Sequence, residues 1–378
     1  MSQQGRAPWA RRSSWTRRSI VLVVAMSCAA TLGAATSASA STRAAKLRVV
    51  SISPSFGTKN VGGTSPITIR FSAPVLANSA IPVVNPQVAG SWSAKGRLLV
   101  FTPLGGYPPD SEITVSIPGG AAGVVGVDGA RLNATDTVKF TTEGGSIVRA
   151  EQLLAELGYL PVTWHQRRPI VRTETEFERA VYDAPHGRFV FLGDAPQALR
   201  ALWSPGSMSQ IFKSSLVSFD RAENLAPQSG MSSGFWSTLL RVSRRPSVHR
   251  NSAGFTYALV NKNVGNNRPE TLTIYQDGRV VLESLANTGI SASPTEDGTF
   301  AVYLRFENQV MSGTSPFGGT YSDPVSWVAY FNGSDAVHYI ARSQYGYPQS
   351  FGCVELPWTE AERAYGLLQL GALVTVQS

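Results

Sequence analysis

Residues 337–356 read VHYIARSQYGYPQSFGCVEL, and the thiol near the end of this stretch decides how the C-terminal third of the chain is read. The chain has two cysteines, Cys28 and Cys353. Cys28 falls in an N-terminal segment with the marks of a removable leader, so Cys353 is left without an intrachain partner. In an oxidising compartment such a thiol is buried and inert, paired with another chain, or used chemically. Gly352 before it permits unusual backbone geometry and leaves amide groups free to face inward, as an oxyanion hole requires. A nucleophilic thiol also needs a neighbour that populates the thiolate, because an unperturbed cysteine has a pKa of about 8.5. Four histidines are available. His165 and His249 lie in polar, arginine-rich stretches, and His186 precedes Gly187 in a turn. His338 ends the apolar strand approach VSWVAYFNGSDAVH, 15 positions before Cys353. A return loop closes that gap, and the combination points to Cys–His catalysis.

Residues 1–40 carry Arg6, Arg11, Arg12, Arg17 and Arg18 and no acid, followed by IVLVVAMSCAATLGAA and Ala38-Ser39-Ala40. That is the order of a secretory signal: basic region, apolar region, small-residue cleavage site. The apolar run is short of the roughly 20 residues a spanning helix wants. The expectation is therefore an exported chain in the cell wall or a periplasmic-type space, with no stable transmembrane anchor. Without those five arginines the net charge falls from +8 to +3, which removes the main support for nucleic-acid binding. A mild basic excess still steers a protein toward an anionic envelope polymer. No histidines show ligand spacing such as His-x-x-x-His, and no metal or other cofactor is expected. The 35 Gly, 23 Pro and 15% charged residues point to strands and turns.

The chain divides by pattern into a mainly β, multidomain protein. After the leader, residues 41–143 hold the short alternating runs PITIRFSAPV, RLLVFTPL, EITVSIPGG and DTVKFTT between turn signals, which predicts a β-sandwich. The pattern changes at Ile147, where VRAEQLLAELGYLP places Leu153, Leu154 and Leu157 on one helical face and Gly158 at its end. Residues 144–243 read as a small α-rich module with an insertion at about 163–203. Residues 244–254 read as a polar linker. Strands return from Phe255 as FTYALVNK, TLTIYQDGRVVLESLANTG, GTFAVYLRF and VSWVAYF, and a helical pattern reappears only in PWTEAERAYGLLQLGA. Residues 255–378 are thus a β-rich domain, expected to keep its thiol chemistry when excised.

VAYFNGSDAVHY followed by SFGCVEL resembles the active-site region of L,D-transpeptidases of the YkuD type, whose core motif is a histidine, a loop, then Ser/Thr-His-Gly-Cys. LTIYQDGRVVLESLANTG and SPTEDGTFAVY are similar to that domain's opening strands and turn. The segment SISPSFGTKNVGGTSPITIRFSAPV resembles a bacterial immunoglobulin-like domain, and the 144–243 module resembles in part a peptidoglycan-binding module. Both are companions of actinobacterial members. For that module, wall binding and simple helical packing between two β domains both remain open. The order of the residues excludes close rivals: papain-like and NlpC-type enzymes place cysteine before histidine, and the Thr-Leu-x-Thr-Cys strand of sortases is absent.

The resemblance implies transpeptidation of peptidoglycan stem peptides to form 3→3 cross-links, through a Cys353 thioester with His338 as base. It implies that the Tyr339 carbonyl holds the imidazole, that the Gly352 and Cys353 N–H groups stabilise the oxyanion, and that Ser350 shapes the turn. It further implies covalent inhibition by carbapenem-type β-lactams, and a lid from RFENQVMSGTSPFGGTYSDPVSW, with Gly313, Gly318 and Gly319 for mobility and Met311, Phe317 and Tyr321 as walls. Two positions depart from the family. Phe351 stands at the motif's histidine, and Glu355 stands where the family places Arg or Asn. Arg342 is expected to supply the missing cation, with Glu355 as its partner in an exposed pair. Substrate-binding candidates are accordingly Met311, Tyr321, Phe351, Glu355 and Arg342. An L,D-carboxypeptidase or endopeptidase using the same acyl-enzyme, and a silent wall-binding protein, are the alternatives.

Overall fold

The computed structural model describes residues 46–167, 173–226, 230–265 and 267–378; the expected leader lies outside them. Among the described residues no helix is long and apolar enough to cross a membrane.

The first domain holds β1 (Val49–Ser53), β2 (Ile67–Phe71), β3 (Val83–Asn85), β4 (Gly90–Lys95), β5 (Leu98–Pro103), β6 (Glu112–Ile117) and β7 (Asp136–Thr141). They form a four-stranded sheet, β1-β2-β5-β4, and a three-stranded sheet, β3-β6-β7. Alternation drives the sandwich: Ile67, Ile69 and Phe71 of one sheet and Ile113, Val115 and Ile117 of the other are fully buried, each set on the inward face of its pleat.

The middle module follows as α1 (Ile147–Glu156), β8 (Val162–Gln166), α2 (Glu174–Arg179), β9 (Gly187–Phe191), α3 (Gln197–Ala201), α4 (Gln210–Ala222) and α5 (Ser233–Ser243). The side chains of Ser146, Ser209 and Ser232 each accept a backbone N–H of the first turn at the starts of α1, α4 and α5, satisfying donors that a helix start leaves open. Leu153, Phe212, Phe219 and Trp236 form its core. Against the first domain, the Tyr182 hydroxyl donates to the Tyr107 carbonyl at 2.8 Å. A Cβ on Gly63 would fall inside the Tyr182 ring, so the seam is closed by a residue without a side chain.

The last domain is built from two sheets and a helix. β10 (Thr256–Asn261), β11 (Thr271–Gln276), β12 (Arg279–Leu285) and β13 (Gly298–Ala301) come first, then β14 (Leu304–Thr314) and β15 (Thr320–Asn332). β16 (Asp335–Tyr339), β17 (Val354–Leu356), α6 (Trp358–Leu367) and β18 (Leu373–Gln377) complete it. The sheet orders are β12-β11-β10-β18-β13 and β14-β15-β16-β17. α6 fills the space between them, burying Ala361 and Ala364, with Leu368 at its C-terminal cap, against Ala258 and Ile274 of one sheet and Val337, Val354 and Leu356 of the other.

Three expectations need correction. GTFAVYLRF is not one strand: it splits at Val302 and Tyr303 into β13 and β14, which serve different sheets. The lid segment is not a loop but the long β14–β15 hairpin, paired from Leu304↔Tyr330 to Thr314↔Thr320. Residues 244–254 are not a free linker, since Asn251 donates its backbone N–H to the Leu157 carbonyl at 2.8 Å and its side-chain amide to the Gly158 carbonyl at 3.2 Å.

The autonomy expected of residues 255–378 also meets an obstacle. β10 is buried on both faces, Ala258 and Val260 toward α6 and Tyr257 and Leu259 into the core of the middle module, together with Leu373 of β18. Ser214 of α4 adds a hydrogen bond to the Gly371 carbonyl at 2.6 Å. Excision would return Tyr257, Leu259 and Leu373 to water, at about 1.5–3 kcal/mol for each large apolar side chain. The fragment 255–378 is therefore expected to melt well below the fragment 144–378 and to bind a hydrophobic dye. Equal melting temperatures for the two fragments would show that the shared core does not stabilise the C-terminal domain.

Candidate active site

β16 and β17 lie side by side in parallel, with Val337↔Val354, His338↔Glu355 and Tyr339↔Leu356 in register. The residue before β17 is Cys353, so this pairing brings the thiol level with Ala336 and places it on the same face of the sheet as His338. Both line one cavity of about 350 Å³. Met311, Tyr321, Arg342, Ser350, Phe351 and Glu355 line it as well. Phe317 reaches it indirectly: its ring stands 6.4 Å from that of Phe351, and the Tyr321 ring stands 5.6 Å from Phe351. The hairpin tip thus leans on the residue that replaces the motif's histidine.

The His338 ring is buried, with Nδ1 3.1 Å from the Tyr339 carbonyl oxygen. A carbonyl only accepts, so Nδ1 carries the proton and Nε2 presents a lone pair. Burial lowers the His338 pKa; the Tyr339 carbonyl and the Glu355 charge oppose that, and Arg342 reinforces it. The resting imidazole is therefore neutral. The Cys353 thiol keeps part of its surface open to the cavity and contacts the Ser334 carbonyl at 3.7 Å. Burial pushes its pKa up to about 12, with the charges of Asp335 and Glu355 in the same direction and the Ala336 N–H against them. The resting pair is neutral thiol and neutral imidazole.

The turn before the thiol is cross-braced. Ser350 donates its hydroxyl to the Cys353 carbonyl at 2.6 Å and accepts the Gly352 N–H at 3.2 Å. Thr295 donates to the Gly352 carbonyl at 2.7 Å while accepting the Gly289 N–H at 2.9 Å. Gly352 has φ +118°, and a Cβ there would overlap the Asp335 carboxylate, so only glycine fits. One expectation is corrected here. The Gly352 N–H is occupied by Ser350 rather than free to receive an oxyanion.

Arg342 and Glu355 do pair, at 2.8 and 2.5 Å. The pair is not an exposed one, because Glu355 is only 3% exposed. Its backbone exchanges hydrogen bonds with Asn287 at 2.9 and 3.0 Å, and the Asn287 amide donates to its carboxylate at 3.2 Å. This strand-to-strand grip pulls the carboxylate inside, and Arg342 reaches over to meet it. Sequence reading missed Asp335, Ala336, Asn287 and Thr295. The NGSD turn before His338 is a usable signal for the first two; nothing local marks Asn287 or Thr295.

Residues 257–376 match the L,D-transpeptidase catalytic domain family YkuD, and residues 43–142 match a bacterial Ig-like domain family. The C-terminal domain belongs to the YkuD family. Among solved structures, an L,D-transpeptidase from Mycobacterium smegmatis is 16% identical, over 88% of this chain and 100% of that one, with a TM-score of 0.29. The catalytic domain of the E. faecium L,D-transpeptidase is 26% identical over 32% of this chain and 96% of that one, also at 0.29. L,D-transpeptidase 3 from Mycobacterium tuberculosis, solved with a faropenem-derived adduct, is 13% identical over 87% and 98%, again at 0.29. Among curated proteins none gives a significant match. The assignment of the L,D-transpeptidase domain rests on the family match and on the His338–Cys353 arrangement, not on these distant likenesses.

Two outcomes follow for this L,D-transpeptidase domain. Arg342→Ala leaves the Glu355 carboxylate buried without its cation and is expected to cost about 2–3 kcal/mol in denaturant unfolding at pH 7.5, more than half of it recovered in Arg342→Ala/Glu355→Gln. A loss below a few tenths, about that of an ordinary surface change, would show that the pair is solvated. The second concerns pH. With His338 as the expected base, alkylation of Cys353 would need its neutral form, so the acid limb should fall below the ordinary histidine value of 6.5. Asp335, pushed up to about 6 chiefly by burial, is charged above that, and Asp335→Asn should speed alkylation at pH 8.

Proposed function

We propose that the chain is an exported peptidoglycan L,D-transpeptidase that forms 3→3 cross-links through a Cys353 thioester. The observation that carries this reading is that Cys353 and His338 share one cavity, with the His338 ring fixed at Nδ1 so that Nε2 is left to take a proton. A neutral thiol cannot attack unaided, so proton transfer to His338 accompanies formation of the S–C bond at the carbonyl after the third stem residue. The C–N bond to the terminal D-alanine then breaks, and His338 returns the proton to the departing amine. An amine from a neighbouring stem attacks the thioester, and sulfur leaves as the thiol. With the Gly352 N–H engaged by Ser350, the Cys353 N–H is the oxyanion donor of this reading. The Ser350 and Thr295 hydrogen bonds hold that amide in place by fixing the carbonyls on either side of it.

A silent wall-binding protein is the second reading, favoured by one observation: the Asp335 and Glu355 carboxylates flank the thiol and raise its pKa. A hydrolase using the same thioester differs only in the acceptor.

Incubation with imipenem, read by intact mass, separates turnover chemistry from silence. A single adduct is expected on the native chain and none on Cys353→Ala, with His338→Ala acylating at least about 100-fold more slowly. Muropeptide products then divide transpeptidase from hydrolase. An unmodified native chain, or an adduct that survives Cys353→Ala, overturns the proposal.

A further inference from the structure

Trp327 holds a left-handed backbone, φ +61°, in the middle of β15. Bulky residues rarely adopt that region, and such strain gathers where function needs it. The position is a bulge. Ser326 pairs with Tyr339 and Ala329 with Val337, so Trp327 and Val328 together face His338. Alternation reverses at the same point: Val325 and Val328 share the apolar cluster that holds Cys353, while Trp327 and Ala329 pack with the cluster around α6. In a regular strand, residues three apart point to opposite faces.

Rings hold the strained residue in place. Trp327 lies 5.7 Å from Trp358 and 5.7 Å from Tyr365, and the Arg305 guanidinium covers Tyr365 at 3.9 Å. Trp358 in turn stands edge-on to Tyr339 at 4.8 Å. The Tyr339 carbonyl is the group that holds His338 Nδ1. Strain and aim are therefore joined through one set of contacts.

We propose that the Trp327 bulge is the positioning device for His338: its left-handed backbone, clamped by Trp358 and Tyr365, sets the Tyr339 carbonyl against the imidazole and turns Tyr321, Asp323 and Val325 into the cavity. This rests on the reading of His338 as the base. Trp327 touches no substrate and acts through the ring opposite it, as bulges beside active sites re-aim side chains.

Glycine accepts φ +61° and a β-branched residue does not, which separates backbone from side chain. In the full chain, Trp327→Gly accepts the backbone but gives up the ring that Trp358 and Tyr365 clamp, so it should hold the Nδ1-protonated tautomer of His338 as the major form, read by 15N NMR of histidine-labelled protein, and acylate with imipenem about tenfold more slowly. Trp327→Val should lose that tautomer signature and acylate about 100-fold more slowly, with little change in the half-saturating imipenem concentration. Where Trp327→Val fails to fold, Trp358→Ala takes its place, with a mixed tautomer expected and rescue by Trp358→Phe. A folded Trp327→Val with native tautomer and rate, or a Trp327→Gly that acylates no faster than Trp327→Val, overturns the proposal; so does a Trp358→Ala with the native tautomer. A native chain that imipenem does not acylate sinks the functional reading alone, because the tautomer comparison still decides the positioning role.

Discussion

The site depends on the parallel pairing of two short strands, β16 and β17, whose chain connection is the 14-residue return segment 340–353. Such a pairing cannot close through a tight turn. It is held instead by burial, with Val337, Val354 and Leu356 all at 1% exposure or less against α6. Because the register is parallel, a shift by one residue would move His338 and Cys353 relative to each other and turn one of them inward. The isolated bridge from Asn287 to Glu355 pins the same strand from the other side. The chemistry is thus located by apolar packing beneath it and by one polar strap, not by contacts between the two candidate catalytic groups.

That packing extends further than the domain that carries the thiol. The five-stranded sheet is covered on one face by α6 and on the other by helices of the middle module, so β10 lies inside two cores at once. A strand buried on both faces reads as a continuous apolar run, and FTYALVNK is such a run. It shows that something must cover each face, but not what. The composition of the strand therefore revealed its burial, whereas the helices that cover it could only be found in three dimensions.

The same limit explains which parts of the site were legible. Cys353, Gly352 and Ser350 are adjacent in sequence, and the bond from Ser350 to the Cys353 carbonyl spans three residues, so local residue types were sufficient. Arg342 and Glu355 were legible as opposite charges, one on the return segment and the other just beyond it. The burial of Glu355 was not, because it depends on Asn287, 68 residues earlier. The split of GTFAVYLRF was hidden for a related reason: Val302 and Tyr303 continue the apolar pattern, and only the pairing of β13 with β18 and β14 with β15 separates them. Trp327 carried no warning at all, since tryptophan is a favoured strand residue and its left-handed backbone arises from the bulge, not from its own preference.

The electrostatics of the pair give this arrangement its logic. A thiol whose pKa is pushed up to about 12 is inert at rest, and a histidine whose pKa is depressed by burial is a weak base at rest. Each alone looks unfit for acyl transfer. Together they avoid a buried ion pair in the resting state, which costs several kcal/mol of desolvation per charge. In the proposed mechanism, charge has to appear only while the S–C bond forms, when the proton moves to Nε2 and negative charge passes to the carbonyl oxygen. Asp335 and Glu355 disfavour a standing thiolate, but Glu355 also favours an imidazolium, raising the His338 pKa together with Asp323. The Glu355 carboxylate, which helps silence the thiol at rest, is therefore placed to support the cation in that mechanism, whereas Asp335 acts on the thiol alone, and the balance between the two effects of Glu355 is set by how closely the imidazole, rather than the thiol, approaches it.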